Sequence, residues 1–128
     1  MAGTTDRPSV AIGHVVLRVS DISRSAEFYR ELGLRSIVER KELAILELRG
    51  GTHLLLFKAR GKPRRGAIRS FDFMVDSAEK LHQDLAARGV FTSAVREDRL
   101  SGHSMFELTD PDGHVLTVLS DHTGGRPV

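Results

Sequence analysis

Cysteine and tryptophan are absent from this chain, and tyrosine occurs once. Without a thiol there is no disulfide, no thiolate zinc ligand and no cysteine nucleophile. The lack of cysteine also fits a reducing compartment. Long apolar runs are missing: nothing approaches the roughly 20 residues that span a bilayer. Met1 to Ser9 is polar and has no apolar run of the secretory kind. Cytoplasmic location, with no membrane partner, is the expectation. Neither sign of charge prevails, with 19 Lys and Arg against 17 Asp and Glu. What remains is a 128-residue chain, 40% hydrophobic and 28% charged, which suits one soluble globular domain able to bury a core.

The basic excess is local. Lys58, Arg60, Lys62, Arg64, Arg65 and Arg69 fall in one stretch that holds no acid. Phe57 and Phe71 flank this run, but no aromatic lies inside it to stack on bases, so nucleic acid is not an expected partner. The run reads as a solvated connector. A basic cavity mouth that attracts an anionic substrate is the other reading.

The chain repeats itself. Ile45-Leu46-Glu47-Leu48, a turn, then His53-Leu54-Leu55-Leu56-Phe57 return as Met105-Phe106-Glu107-Leu108, a turn, then His114-Val115-Leu116-Thr117-Val118. The glutamates are 60 positions apart and the histidines 61. An alternating strand and a helix precede each copy. In the first copy, Ile12 to Ser20 has the period of two that marks a strand. Asp21 or Ser23 caps a helix over Ser25–Leu32, and Gly33 ends it. Strands follow at Leu34–Glu39, Leu43–Arg49 and Thr52–Lys58, the last two joined through Gly50-Gly51. Ala59–Ala67 is loop, on its Gly and Pro content. The second copy has a strand at Ser70–Val75, a helix from Ser77 to Arg88, and a strand at Phe91–Arg96. A hairpin of Ser104–Leu108 and His114–Leu119 turns at Asp110-Pro111-Asp112-Gly113. This is βαβββ twice, an α+β fold. Residues 1–10 and 121–128 read as tails.

His14-Val15-Val16-Leu17-Arg18-Val19-Ser20-Asp21, then Ser25-Ala26-Glu27-Phe28-Tyr29 running into Leu32-Gly33-Leu34, resembles the opening of the vicinal oxygen chelate superfamily. Asp110-Pro111-Asp112-Gly113-His114 resembles the mark of its last hairpin. That superfamily includes glyoxalase I, bleomycin- and fosfomycin-resistance proteins, methylmalonyl-CoA epimerase and extradiol dioxygenases. The resemblance covers residues 11–120. It implies a single glyoxalase-like domain over 1–128, with module one at 11–58, the basic connector at 59–67 and module two at 68–120. It further implies that the two modules curl into a half-barrel around a cavity, and that the protein is a homodimer.

The resemblance also implies four metal-ligand positions, which fall at His14, Leu56, Ser70 and Thr117. Only His14 carries a ligating group. A divalent metal needs about three imidazole or carboxylate ligands with positions left open. No family-type metal site and no cofactor are therefore expected. A relocated site drawn from His14, Glu47, Asp72, His103 and Glu107 is the route by which a divalent metal would return. The resemblance implies that His14, Leu56, Ser70 and Thr117 face the cavity; strand alternation then adds Val16, Asp72, Met105 and Glu107 as expected ligand contacts, with Leu54, Met74 and Leu119 as further apolar wall. His53 and His114 are expected to pack at hairpin ends.

Three function classes compete. The favoured one is a binding protein for a small organic molecule, like the bleomycin-resistance branch. The second is a superfamily enzyme (lyase, isomerase or dioxygenase) with a relocated metal or with His14 and Glu107 as an acid–base catalytic pair. Imidazole suits that role because it exchanges protons near neutral pH. Glu47 and Glu107 also read as an acidic lining for a cationic or polyhydroxyl ligand, or as partners of arginines such as Arg18. A nucleic-acid or regulatory module built on the basic connector comes third.

Overall fold

The computed structural model describes residues 6–100, 102–121 and 126–127. The first five residues of the amino-terminal tail, and His122 with 123–125 of the carboxyl-terminal one, lie outside the described residues. The chain divides into two compact units, with the division falling between Arg64 and Arg65.

Module one runs β1 (His14–Val19), α1 (Ile22–Leu32), β2 (Arg35–Glu39), β3 (Leu43–Glu47) and β4 (His53–Lys58). The helix starts at Ile22, earlier than expected, because Asp21 is the cap: its Oδ1 accepts the Arg24 N–H at 3.1 Å. Gly33, at φ 127°, ends it and donates its N–H to the carbonyls of Tyr29 and Arg30. The sheet order is β1-β4-β3-β2, with β1 parallel to β4 and the other pairs antiparallel. Leu17, Val19, Ala44, Leu46, Leu54 and Leu56 are buried on one face of this sheet. The helix buries Ile22, Ser25, Ala26 and Tyr29 and packs against β3 and β4. Each fully buried leucine contributes about 1.5–3 kcal/mol. The strand expected over Leu43–Arg49 stops at Glu47, because Arg49–Gly51 form a 3-10 turn with Gly50 and Gly51 at positive φ.

Module two runs β5 (Gly66–Ala67), β6 (Phe73–Val75), α2 (Ala78–Ala87), β7 (Arg96–Glu97), β8 (Ser104–Thr109) and β9 (His114–Ser120). Ser77 caps α2, its Oγ accepting the Lys80 N–H at 3.2 Å. The sheet order is β5-β9-β8-β7, and β6 also pairs with β9. Three expectations change here. Gly66–Ala67, placed in the loop connector, is strand. Ser70–Val75 contracts to Phe73–Val75. Phe91–Arg96 resolves into an isolated bridge from Thr92 to Leu108 and the short β7. The cause of the first two is β9. It takes β5 as a parallel partner at His114 and Val115, and β6 at Val118–Ser120. Ile68 still donates its N–H to the Val115 carbonyl at 2.9 Å, and residues 69–72 cross from one partner position to the other outside the ladder. Phe73, Ala78, Leu85, Phe106, Leu108, Leu116 and Val118 form the core of this unit. The fold is α+β, a βαβββ module twice. No helix among the described residues is long and apolar enough to cross a membrane.

Candidate functional site

Alternation along β1 sends Leu17 and Val19 into the core and leaves His14, Val16 and Arg18 on the open face. The parallel register sets His14 beside His53, Val16 beside Leu55 and Arg18 beside Phe57. The antiparallel register adds Glu47 beside His53, Ile45 beside Leu55 and Leu43 beside Phe57. One face of three adjacent strands therefore carries a polar end and an apolar strip.

At the polar end the rings of His14 and His53 lie 6.0 Å apart, tilted by 56°. His53 Nε2 is 3.5 Å from Glu47 Oε2. Glu47 is also ion-paired with Arg35, its register partner on β2. The backbone fixes this end: the His53 N–H donates to the Gly13 carbonyl at 2.9 Å, and Thr52 Oγ1 donates to the Ile12 carbonyl at 2.6 Å. At the other end the Arg18 guanidinium stands 5.6 Å from the centre of the Phe57 ring. His53 was expected at a hairpin end; it shares this face with His14.

Leu56 needs correction. It pairs with Leu17 and is fully buried on the helix side, so it lines the core and contacts no ligand. Leu54 lies on the same buried side. The repeat register changes with it. Both hairpin turns close with the same bond, Leu48 N–H to the Thr52 carbonyl at 2.7 Å and Asp110 N–H to the His114 carbonyl at 2.9 Å. The last paired residues are Glu47 with His53, and Thr109 with Val115. By this register Leu55, not Leu56, corresponds to Thr117, and Ile45 corresponds to Glu107. The matching Glu and His letters of the two copies do not occupy matching places.

In module two, Glu107 pairs in register with Thr117 and Met105 with Leu119, and all four are half-buried on one face. Glu107 accepts a hydrogen bond from Arg96 Nη2 at 3.0 Å, and its N–H donates to Ser93 Oγ at 2.8 Å. Ser70 and Asp72 are exposed and precede β6, so strand alternation does not set their direction. Met74 is exposed on β6. His103 is half-buried just before β8, and its carbonyl accepts the Asp98 N–H at 2.7 Å.

The Asp110 turn holds a buried ionisable pair that spacing alone would flag only as an i,i+4 Asp and His around a glycine. His114 Nδ1 lies 2.7 Å from Asp110 Oδ2, and Asp110 Oδ1 accepts the N–H groups of Asp112 and His114 at 3.0 and 2.9 Å. Hydrogen bonding to Asp110 raises the His114 pKa above its ordinary value, against a smaller opposing effect of burial. This pair braces the hairpin and is not open to a ligand. Two clefts in module one contain none of the expected site residues. One is lined by residues that include Asp21, Arg40 and Lys58, the other by 7–11 with Gly50 and Thr52.

The donor set does not fit a divalent cation. Of the family positions, His14 offers an imidazole, Ser70 and Thr117 offer neutral hydroxyls, and Leu55 offers nothing. Among the described residues no three His, Asp or Glu side chains gather in a way that would hold a metal ion.

A family model described as Glyoxalase/Bleomycin resistance protein/Dioxygenase superfamily matches residues 11–118. The chain is 30% identical over 115 residues to the uncharacterized protein YwkD of Bacillus subtilis, covering 80% of this chain and 90% of that one. It is 29% identical over 119 residues to the metallothiol transferase FosB of Staphylococcus saprophyticus, covering 89% of this chain and 77% of that protein. Among solved structures, lactoylglutathione lyase from Agrobacterium tumefaciens shares the fold with a TM-score of 0.72 at 21% identity, over 89% of this chain and 96% of that one.

Proposed function

We propose, from the premise that this chain belongs to the Glyoxalase/Bleomycin resistance protein/Dioxygenase superfamily, that it binds a small organic molecule without a metal at the family positions. The observation that carries this reading is the donor set: one imidazole at His14 against Leu55, Ser70 and Thr117. Support also comes from the pairing of the carboxylates. Glu47 is engaged by Arg35 and Glu107 by Arg96, so neither stands free as an anionic ligand for a cation. One relative is named for lactoylglutathione and another as a metallothiol transferase, and both names denote chemistry on small molecules. Within module one the candidate contacts are His14 and Val16; within module two, taken by itself, they are Met105, Glu107 and Thr117, with Ser70 and Asp72 before β6. No resident cofactor belongs to this reading.

A homodimer in the cytoplasm completes the proposal. Among the described residues, β1 and β2 are the edge strands of module one's sheet, and a second copy is one way to cover such an edge. Native mass spectrometry of the protein as purified tests the reading. The expected spectrum shows a dimer with a substoichiometric organic adduct and no metal. One divalent ion per chain would overturn it.

The enzyme reading has its own support in the exposed His14 imidazole, set beside a second imidazole on a rigid strand pair. In that reading His14 moves the proton, and Glu107 of module two is the second acid–base group. His14→Ala then abolishes turnover of any substrate found, and retained turnover removes His14 from the chemistry.

A further inference from the structure

The charge of the ligand follows from which side chains on the open face are already satisfied; we infer that the molecule bound is an organic anion, with an apolar body and one carboxylate-like group seated at Arg18. This rests on the small-molecule reading above and deepens it.

An acidic lining would select a cation. The carboxylate on this face, Glu47, is neutralised by Arg35. Arg18 is in the opposite position. It is exposed on the open face of β1, and among the described residues no carboxylate pairs with it. Its contact is the Phe57 ring, 5.6 Å from the guanidinium carbon. Packing over an aromatic face holds a guanidinium in place and leaves its N–H groups free to donate. A planar pair of donors without an acceptor is the complement of a carboxylate, which it binds through two parallel hydrogen bonds.

The surface next to Arg18 is apolar. Val16 is 47% exposed, an unusual state for a valine in the middle of a strand, and Leu43, Ile45 and Leu55 are half-buried around it. His14 and His53 close the far end. His14 and Arg18 are four positions apart, which is roughly 13 Å at the rise of an extended strand. The ligand that fits places its anion on Arg18, lays an apolar chain or ring over Val16 and Leu55, and turns a hydroxyl or carbonyl toward the two imidazoles. Basic residues are frequent nearby in sequence, since Lys58 follows Phe57 and begins the stretch without acids.

Calorimetric titration of the intact chain with three probes of equal length tests the inference: ω-phenylhexanoate, its primary amide and ω-phenylhexylammonium. The acid is expected to bind about tenfold more tightly than the amide, as a charge-assisted hydrogen bond allows, and the ammonium more weakly than either. Arg18→Gln is expected to bring the acid to the affinity of the amide and leave the amide unmoved. Because Arg18 is exposed, the variant should melt like the parent, and a melting curve checks this. An ammonium that binds as well as the acid, or an acid advantage that survives Arg18→Gln, overturns the inference. Amide binding with no acid preference defeats the charge assignment alone. No binding of any probe defeats the small-molecule reading and the assignment together.

Discussion

Removing the Asp110 carboxylate should cost more stability than any surface change in this protein. Its Oδ1 accepts the N–H groups of Asp112 and His114 at 3.0 and 2.9 Å, and Oδ2 meets His114 Nδ1 at 2.7 Å. The side chains of His114 and Asp110 are 4% and 0% exposed, so water does not replace these bonds without rearrangement. A hydrogen bond to a charged group is worth about 1.5–3 kcal/mol, and losing one partner of a buried pair costs about 3–5 kcal/mol. Asp110→Ala is therefore expected to destabilise by about 3–5 kcal/mol, a large share of the roughly 5–15 kcal/mol of a small domain. Asp110→Asn keeps an oxygen for the two backbone donors and loses the ionic bond, so about 1–3 kcal/mol is expected. The pair also sets a pH dependence. The His114 pKa is raised in the folded state, chiefly by hydrogen bonding to Asp110. Its contribution is complete below the ordinary histidine value of about 6.5 and is lost as pH rises through the raised folded value. Glu39 and Glu79 have lowered pKa values, so their contributions are lost only in acid, as pH falls through the folded values. Urea denaturation followed by circular dichroism between about pH 6 and 9, run on parent and Asp110→Asn, follows the His114 contribution. The midpoint of the parent should fall as pH rises, and Asp110→Asn should flatten that fall. A loss under about 1 kcal/mol in Asp110→Ala, well below the expected buried-pair cost, refutes the reasoning, and so does a parent that gains stability with rising pH.

Further substitutions probe the packing. Leu56→Asp buries an unpaired carboxylate and should prevent folding or cost more than about 4 kcal/mol, whereas Leu55→Asp, on the open face, should cost under about 2 kcal/mol. Equal effects in thermal melts would undo the assignment of the two faces. Ser25→Ala removes a buried hydroxyl that has no hydrogen-bond partner among the described residues. It should leave stability unchanged or raise it by up to about 1 kcal/mol, and a clear loss would reveal a partner for that hydroxyl. Gly113 sits at φ 86°, with the Arg65 guanidinium carbon 2.8 Å from where a Cβ would stand. Gly113→Ala should cost about 1–2 kcal/mol, and adding Arg65→Ala should recover only the steric part.

What the sequence discloses is what local chemistry decides. Alternation along Val15, Leu17 and Val19, the Asp21 cap, the Gly33 stop and the Asp110-Pro111-Asp112-Gly113 turn each depend on neighbours a few residues away, and each forms as expected. The elements that differ depend on distant partners. β5 is strand because β9 supplies its hydrogen bonds, which nothing in Gly66-Ala67 announces. Ser70 leaves the ladder for the same reason, as β9 is shared between two short strands. Leu54-Leu55-Leu56-Phe57 has no polar residue to mark a face, so its orientation comes from pairing with β1. Identical letters then mislead: aligning Glu47 with Glu107 and His53 with His114 sets the hairpins in different registers, while the turn hydrogen bonds fix a single one. Placing Leu54 and Leu56 on the open side hides His53 as a neighbour of His14, which the β1–β4 register reveals.

The absence of a family-type metal site is the claim on which most depends, and a metal titration meets it directly. The purified chain is dialysed against chelator, offered Ni, Mn, Fe or Zn in turn, separated from free ion and analysed by elemental mass spectrometry, alongside His14→Ala. Less than about a tenth of an equivalent bound by either protein is the predicted result, since one imidazole does not supply the three or so ligands a divalent ion requires. Close to one equivalent bound by the parent and lost in His14→Ala would contradict it.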